Sequence, residues 1–427
     1  MPRQLDDSIG IAVVGYGYWG PNIARNLNER PEFDLVGLCE LDTERAAAFS
    51  RRFPGIATHQ ELDEVLLNPA VEAVAIATPP RTHHALVRRA LEAGKHVLVE
   101  KPLATTSAQA IDLIALATAH TLVLMPGHTF LYSPPVNKVR DLIRGGDLGG
   151  EIYFITSSRM NLGVYQPDGV ICDLAPHDLS ILLYWLARPV SHVAATACTV
   201  FQDDVPETAF LTVMFEGGPT ANVQISWLAP RKVRQMVVVG SSRMVQYEDT
   251  ASDDTVRVYD RGLEFSRPAN YGEYTLTYRS GDMIAPKVEA AEPLSLELED
   301  FARAIRTRAE PRSTPALGLE IVRALEAAHE SLAIDGVPVA LGNGNGNGSH
   351  PVGHRAGTDG NGTGARANER TAPLPAALSR PASGRPALAS GTTSIRSSSA
   401  RATRIPVAKD RWLHPCRSRR LRQYAPG

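Results

Sequence analysis

No apolar run in this sequence approaches the ~18 residues that a membrane-spanning helix needs, so no such span is expected. The start, Met1 to Ser8, is polar and carries Asp6 and Asp7. It lacks the basic-then-apolar layout of a secretory leader, and a cytoplasmic address is the expectation. Cysteine is scarce. The four present, Cys39, Cys172, Cys198 and Cys416, are scattered and fit neither a zinc spacing nor a disulfide framework; reduced thiols and no metal site are expected. A large charge of one sign is also missing, the net being -2 over 427 residues. The charge is unevenly spread, however. From Asn343 onward there are 14 Lys+Arg against 3 Asp+Glu, which leaves 30 basic and 43 acidic residues before it. An acidic body does not point to nucleic acid as a partner.

Texture changes twice along the chain. From Ile9 to about Pro126, short apolar runs (Ile9–Val14, Asp34–Cys39, Val71–Ala77, His96–Val99, Leu122–Met125) alternate with helix-like stretches (Trp19–Glu29, Thr43–Arg52, Thr82–Ala93, Ser107–Ala117). That alternation predicts an α/β domain whose parallel sheet is covered on both faces, over residues 1–126. In residues 127–341 a helix near Tyr132–Arg144 is followed by strand-like runs with few helices between them: Ile152–Ser158, Val193–Val200, Ala209–Phe215, Ala221–Ser226 and Gln235–Val239. Helical patterns return at Asp173–Ala187, Leu294–Thr307 and Pro315–Ile334. An α+β domain built on a larger antiparallel or mixed sheet is expected there. Residues 342–427 open with a Gly/Asn run and continue rich in Arg, Ser, Pro and Ala. Such a basic tail cannot bury a core and is expected to be disordered and dispensable for catalysis; the alternatives are docking on an acidic partner, a nucleic acid, a membrane surface or the acidic body, and translation of a shifted reading frame.

Three motifs carry chemistry. Gly15-Tyr16-Gly17-Tyr18-Trp19-Gly20 follows the strand-like Ile11–Val14 and opens a helix, and Glu40 stands at the end of the next strand. A dinucleotide needs this arrangement. Gly15 allows a tight turn, Gly17 lets the backbone approach a pyrophosphate, and Gly20 permits close helix–strand packing. Glu40 would accept hydrogen bonds from the ribose hydroxyls and repel a 2′-phosphate, so NAD is expected rather than NADP. Tyr18 and Trp19 are candidate cofactor-side residues, Trp19 either covering the cofactor or packing the helix. Next, Glu100-Lys101-Pro102 follows the run His96–Val99, which puts Lys101 at the carboxyl end of a parallel strand, where open α/β sheets build their sites. Last, Asp173-Leu174-Ala175-Pro176-His177-Asp178 sets an acid and a histidine four apart, on one face of a helical turn that Pro176 would occupy early. A carboxylate that orients an imidazole makes a proton acceptor. Alone, this pattern fits a capping Asp and a structural His equally well. The pair His83-His84 lacks further ligands at a metal spacing, and Arg231-Lys232-Val233-Arg234 suits either a diphosphate or a solvated strand end.

In this order, and with Ala77-Thr78-Pro79-Pro80 and His83 between them, the motifs resemble the glucose–fructose oxidoreductase / inositol dehydrogenase (GFO/IDH/MocA) family over about residues 9–341. The resemblance implies a Rossmann domain followed by an open, mostly antiparallel sheet that often joins copies into homo-oligomers. It also implies NAD(P)-dependent hydride transfer at a sugar-like carbinol. By position it makes Lys101, Asp173 and His177 the catalytic set and places Thr78, Pro79, His83, Glu100 and Lys101 beside the cofactor.

Gly17–Asn22, Gly127–Tyr132, Arg159-Met160-Asn161-Leu162-Gly163 with Tyr165, and Asp173–His177 are similar to bacterial nucleotide-sugar 3-dehydrogenases acting on UDP-N-acetylglucosamine or its uronic acid. This implies a sugar or nucleotide-sugar substrate met by Lys101, His128, Arg159, Asn161, Tyr165, Asp173, His177 and Arg234. Two positions depart from the pattern: Cys172 stands where that subgroup has Trp, and Phe130 where many family members have Arg. A free-sugar or inositol dehydrogenase and a non-catalytic NAD/sugar-binding regulator are the alternatives. The regulator would be favoured by loss of the Lys or the His, and both are present.

Overall fold

The computed structural model describes residues 8–163, 168–201, 205–266 and 275–341; Tyr165 and the expected tail at 342–427 lie outside them. Among the described residues, the first part of the chain builds a six-stranded parallel sheet: β1 (Ile9–Val14), β2 (Phe33–Cys39), β3 (Ala57–His59), β4 (Ala73–Ile76), β5 (His96–Glu100) and β6 (Leu124–Gly127), in the order β3-β2-β1-β4-β5-β6. Between them run α1 (Gly20–Glu29), α2 (Thr43–Arg52), α3 (Leu62–Leu66), α4 (Pro80–Glu92) and α5 (Ser107–Ala119). All six residues of β1 are buried, as expected of a central parallel strand with helices on both faces. The strand order reverses beside β1, where β2 lies on one side and β4 on the other, and the crevice outside their carboxyl ends is the ligand position of such sheets. β3 and α3 escape the pattern because they are short: β3 has three residues, none buried, and offers no apolar run.

The chain then makes a 3-10 turn (Thr129–Tyr132) and α6 (Pro134–Arg144). Among the described residues, nine strands form the second sheet: β7 (Ile152–Leu162), β8 (Val190–Cys198), β9 (Thr208–Phe215), β10 (Thr220–Ser226), β11 (Leu228–Gly240), β12 (Met244–Glu248), β13 (Val256–Ser266), β14 (Thr275–Ile284) and β15 (Val339–Ala340). Their order is β14-β13-β12-β11-β7-β10-β9-β8-β15, antiparallel except for the β7–β10 pair. One face is covered by α7 (Gly169–Leu186) and α9 (Pro315–Ala333) over a core that includes Ile155, Leu182, Trp185, Val213, Val223 and Leu325. α8 (Pro293–Thr307) returns to the first sheet, where Phe301 stacks on Phe33 at 6.3 Å between ring centroids. Residues 293–307 therefore pack with the dinucleotide-type layer, although they follow the second sheet in sequence.

The helix carrying Asp173 and His177 begins a full turn earlier than the pattern suggests. Gly169, at φ +79°, turns the chain, and the Val170 N–H donates to the Pro206 carbonyl. Pro176 thus lies inside α7 rather than in its first turn. A proline there has no N–H to give the carbonyl four residues back and loosens the helix around it. That loosening falls beside the Asp173 carbonyl, which accepts a hydrogen bond from outside the helix.

Candidate active site

The loop after β1 needs its glycines for three different reasons. Gly15 has φ +92°, and a Cβ on it would stand 2.8 Å from Thr78 Cγ2 and 2.9 Å from the Ala77 carbonyl oxygen. A Cβ on Gly20 would stand 2.4 Å from the Gly15 carbonyl oxygen, so α1 docks on the loop only without one. A Cβ on Gly17 would meet only Arg45 Nη1, at 3.7 Å, so the protein leaves that space open. Trp19 caps α1 with no side-chain hydrogen bond, and Pro21 lies in the first turn. Pro21 has no N–H, and the Asn22 and Ile23 N–H groups donate to the Trp19 carbonyl at 3.0 and 3.1 Å, so the Gly20 N–H is the one at the start of α1 left for an anionic ligand. Tyr18 is exposed, and Trp19 meets it edge-on.

Glu40 is buried. Its Oε2 accepts from the Tyr16 N–H at 2.6 Å and its Oε1 from the Asp42 N–H at 2.9 Å. The carboxylate therefore braces the glycine loop from the end of β2, in addition to the role toward a ribose expected of it. Pro79 caps α4, and Thr78 Oγ1 accepts from Thr82 Oγ1 at 2.7 Å.

His83 is fully buried with its ring between two carbonyls, Pro102 O at 2.7 Å from Nδ1 and Thr78 O at 2.9 Å from Nε2. Burial holds its pKa below the ordinary value, although both carbonyls pull the other way. It ties the loop after β4 to the loop after β5, so its bearing on a cofactor runs through those loops. His84 instead pairs with Asp112, at 2.8 Å. Among the described residues no group of three His, Cys, Asp or Glu side chains is placed to hold a metal ion.

Lys101 leaves the end of β5 and reaches α7. Its Nζ donates to the Asp173 carbonyl at 2.7 Å and lies 3.4 Å from Asp173 Oδ1. Asp173 Oδ2 accepts from Trp227 Nε1 at 3.0 Å. Sequence reasoning gave the Asp173 carboxylate to His177; the structure gives its oxygens to Lys101 and Trp227. Trp227 was missed, since a tryptophan just past a strand reads as core. The signal was Gly163, where a Cβ would stand 2.8 Å from the Trp227 ring.

His177, four residues further along α7, packs its ring edge-on against Phe130, 5.2 Å between centroids. Its pKa lies well below the usual value, first because it is desolvated and then because Lys101, Arg159 and Arg234 face it. His128 is buried with neither ring nitrogen hydrogen-bonded, and burial followed by Lys101 pushes its pKa down to about 3. Glu100, whose Oε2 accepts from the Lys101 N–H at 3.3 Å, is pushed up to about 7 by burial.

β7 presents Ser157, Arg159 and Asn161 on its helix-covered face. Asp178 of α7 accepts from Ser157 Oγ and from Arg159 Nε, both at 3.0 Å. Arg234 on β11 pairs with Asp249, at 2.8 Å. Phe130, the departure from the family pattern, lies under both guanidiniums, so arginine reaches this place from the sheet. Cys172 lies 3.8 Å from His329 Nε2, with its thiol raised to about 11 by burial.

Two matches to one family follow the same division of the chain. The description "Oxidoreductase family, NAD-binding Rossmann fold" matches residues 9–128, and "GFO/IDH/MocA C-terminal domain" matches residues 136–246. The chain belongs to the GFO/IDH/MocA oxidoreductase family. Residues 9–128 are an NAD-binding Rossmann domain, and the open Gly17 approach at the start of α1 fits a dinucleotide's pyrophosphate.

The relatives span several substrates. UDP-N-acetylglucosamine 3-dehydrogenase of Acidithiobacillus ferrooxidans is 29% identical over 69% of this chain and 87% of its own length. scyllo-Inositol 2-dehydrogenase (NADP(+)) of Bacillus subtilis is 24% identical over 77% of this chain and 95% of its own. Among solved structures, GenD2 from gentamicin A biosynthesis in complex with NAD superposes with a TM-score of 0.67 at 24% identity, over 80% of this chain and 99% of its own; at that identity the likeness speaks for the fold. Among the described residues no helix is long and apolar enough to cross a membrane.

Proposed function

We propose that this GFO/IDH/MocA oxidoreductase is an NAD-dependent dehydrogenase that oxidises a secondary hydroxyl of a sugar or nucleotide sugar, C3 of a UDP-N-acetylhexosamine or its uronate being the first candidate. The observation that carries the reading is the position of Lys101. Its ammonium sits at the carboxyl end of β5 and is held on α7 by Asp173, one helical turn from His177. When bound, NAD supplies the hydride acceptor. Lys101 would donate a hydrogen bond to the reacting oxygen, with Asp173 and Trp227 fixing where the ammonium points. His177 would take the hydroxyl proton as the C–H bond gives up its hydride. Its depressed pKa keeps the imidazole neutral in the resting site and so able to accept. His128, Arg159, Asn161 and Arg234 would meet the rest of the substrate.

The face of the second sheet away from α7 and α9 carries Phe154 and Phe210, both exposed, which suits packing against a second copy of the chain. The experiment is a panel of UDP-sugars, free sugars and polyols incubated with NAD, read as NADH absorbance. Reduction with a sugar or nucleotide sugar supports the reading. Binding without any absorbance change favours a ligand sensor and overturns it.

A further inference from the structure

β7 and β11 set Arg159 and Arg234 directly opposite each other in the antiparallel ladder. Like charges in such a pair repel, and a site that keeps them there has a use for them. Both guanidiniums lie over the Phe130 ring, at 4.5 and 5.4 Å from its centroid, beside His177. Each has one acid, Asp178 for Arg159 and Asp249 for Arg234, just as Lys101 has Asp173. These pairs leave donors unused. Arg159 is only 4% exposed, and its Nη1 is buried without a hydrogen-bond partner, as is Asn161 Oδ1 two residues along the same face. Opposite Asn161 the ladder breaks: between Leu228 and Val233, β11 bulges away and carries the exposed Arg231 and Lys232. Bulges of this kind re-aim side chains beside active sites. Lys232 is itself held below its usual pKa, first by Arg234.

We propose that the substrate carries a carboxylate near the reacting carbinol and that Arg159 and Arg234 hold it, so that this enzyme prefers a sugar uronate to a neutral sugar or polyol. The inference rests on the dehydrogenase reading above and narrows it. A planar carboxylate matches the guanidinium fork. Lys101, Arg159 and Arg234, which face His177, are each already offset by one acid, Asp173, Asp178 and Asp249, so a bound carboxylate would add net negative charge beside the imidazole. That charge makes protonation of His177 easier as the reaction proceeds. A neutral substrate gives no such help, so the pKa read from kcat should lie above that read from kcat/KM with a uronate only.

The test uses the full chain loaded with NAD and four probes: UDP-N-acetylglucosaminuronate, UDP-N-acetylglucosamine, glucuronate and myo-inositol. They separate a carboxylate from a diphosphate as the anion that matters. Binding is read by calorimetry and turnover by NADH absorbance. UDP-N-acetylglucosaminuronate should exceed UDP-N-acetylglucosamine in kcat/KM by about tenfold to a hundredfold, the range of a charge-assisted hydrogen bond. Arg234→Gln should bring that ratio toward one. Arg234 is the better position to vary because Arg159 is buried against Asp178, and unchanged NAD affinity of the variant reports an intact fold. Equal or better turnover of UDP-N-acetylglucosamine or myo-inositol overturns the carboxylate while leaving the dehydrogenase reading in place. Selective binding of the uronates without NADH formation supports the subsite and overturns the dehydrogenase reading instead. Absence of any preference for the carboxylate-bearing probes in binding overturns the proposal.

Discussion

Gly17 and Gly20 stand three residues apart, yet a methyl group added to each should fail in opposite ways. On Gly20 it would fall 2.4 Å from the Gly15 carbonyl oxygen, about 1 Å inside the ordinary contact range, against backbone that is fixed by β1 and α1. Gly20→Ala should therefore destabilise the apoprotein by about 1–3 kcal/mol, the usual penalty for overpacking. On Gly17 the methyl meets only Arg45 Nη1 at 3.7 Å, an ordinary contact with the end of a flexible side chain. Gly17→Ala should leave the apoprotein within ~0.5 kcal/mol of wild type. Its methyl would instead occupy the approach to the glycine loop and the Gly20 N–H at the start of α1. Loss of one or two charge-assisted hydrogen bonds to a phosphate, about 1.5–3 kcal/mol each, weakens NAD binding about tenfold or more. Urea unfolding of the apoprotein and calorimetric titration with NAD separate the two effects. Wild-type NAD binding by Gly17→Ala, or a Gly20→Ala variant as stable as Gly17→Ala, would refute this contrast.

Glu40→Ser should raise kcat/KM with NADP relative to NAD, because a negative charge leaves the place where a 2′-phosphate would sit. It should also lower the unfolding midpoint, since the Tyr16 and Asp42 N–H groups lose their acceptor; equal wild-type efficiency with the two cofactors would refute the assignment. Acid should destabilise the protein partly through His128. Its folded pKa of about 3 lies below the ordinary 6.5, so its contribution is full above pH 6.5 and is lost as pH falls toward 3, with a slope of up to ~1.4 kcal/mol per pH unit. The buried Glu100, raised to about 7, works in the other direction between pH 4.5 and 7, so the difference between wild type and His128→Phe is the quantity to follow in urea midpoints. That difference should change steadily from pH 6.5 to 4, and a constant difference would show that His128 titrates normally.

The elements that sequence reasoning could place were those whose burial imposes a period. β1, β2, β5 and the amphipathic α1, α2 and α4 were legible to within a few residues because each has a buried face or a fully buried run. β12 to β14 were not, because in a strand such as Val256–Ser266 the charged Arg257, Asp260 and Arg261 break up the apolar run that would mark it. The candidate site was legible where backbone geometry demands particular residues, as at Gly15, Gly17 and Gly20, or where a motif has a family resemblance, as at Lys101, Asp173 and His177. Partnerships were not legible. Asp173 turned to Lys101 and Trp227, Glu40 to Tyr16, and Asp178 to Arg159, because these contacts join residues 19 to 72 apart whose relative placement no local pattern records. The interior position of Pro176 was hidden for a similar reason: α7 starts where Gly169 meets Pro206, a contact absent from the local sequence.

The claim that most depends on the arrangement is that His177 takes the substrate's proton. Rapid mixing of NAD-loaded enzyme with the most active sugar of the panel, followed at the nicotinamide absorbance band, measures the chemical step directly. The His177→Ala variant should form NADH about 10²–10⁴-fold more slowly than wild type, the usual cost of losing a general base, with NAD affinity unchanged. An undiminished rate of NADH formation in that variant would contradict the account.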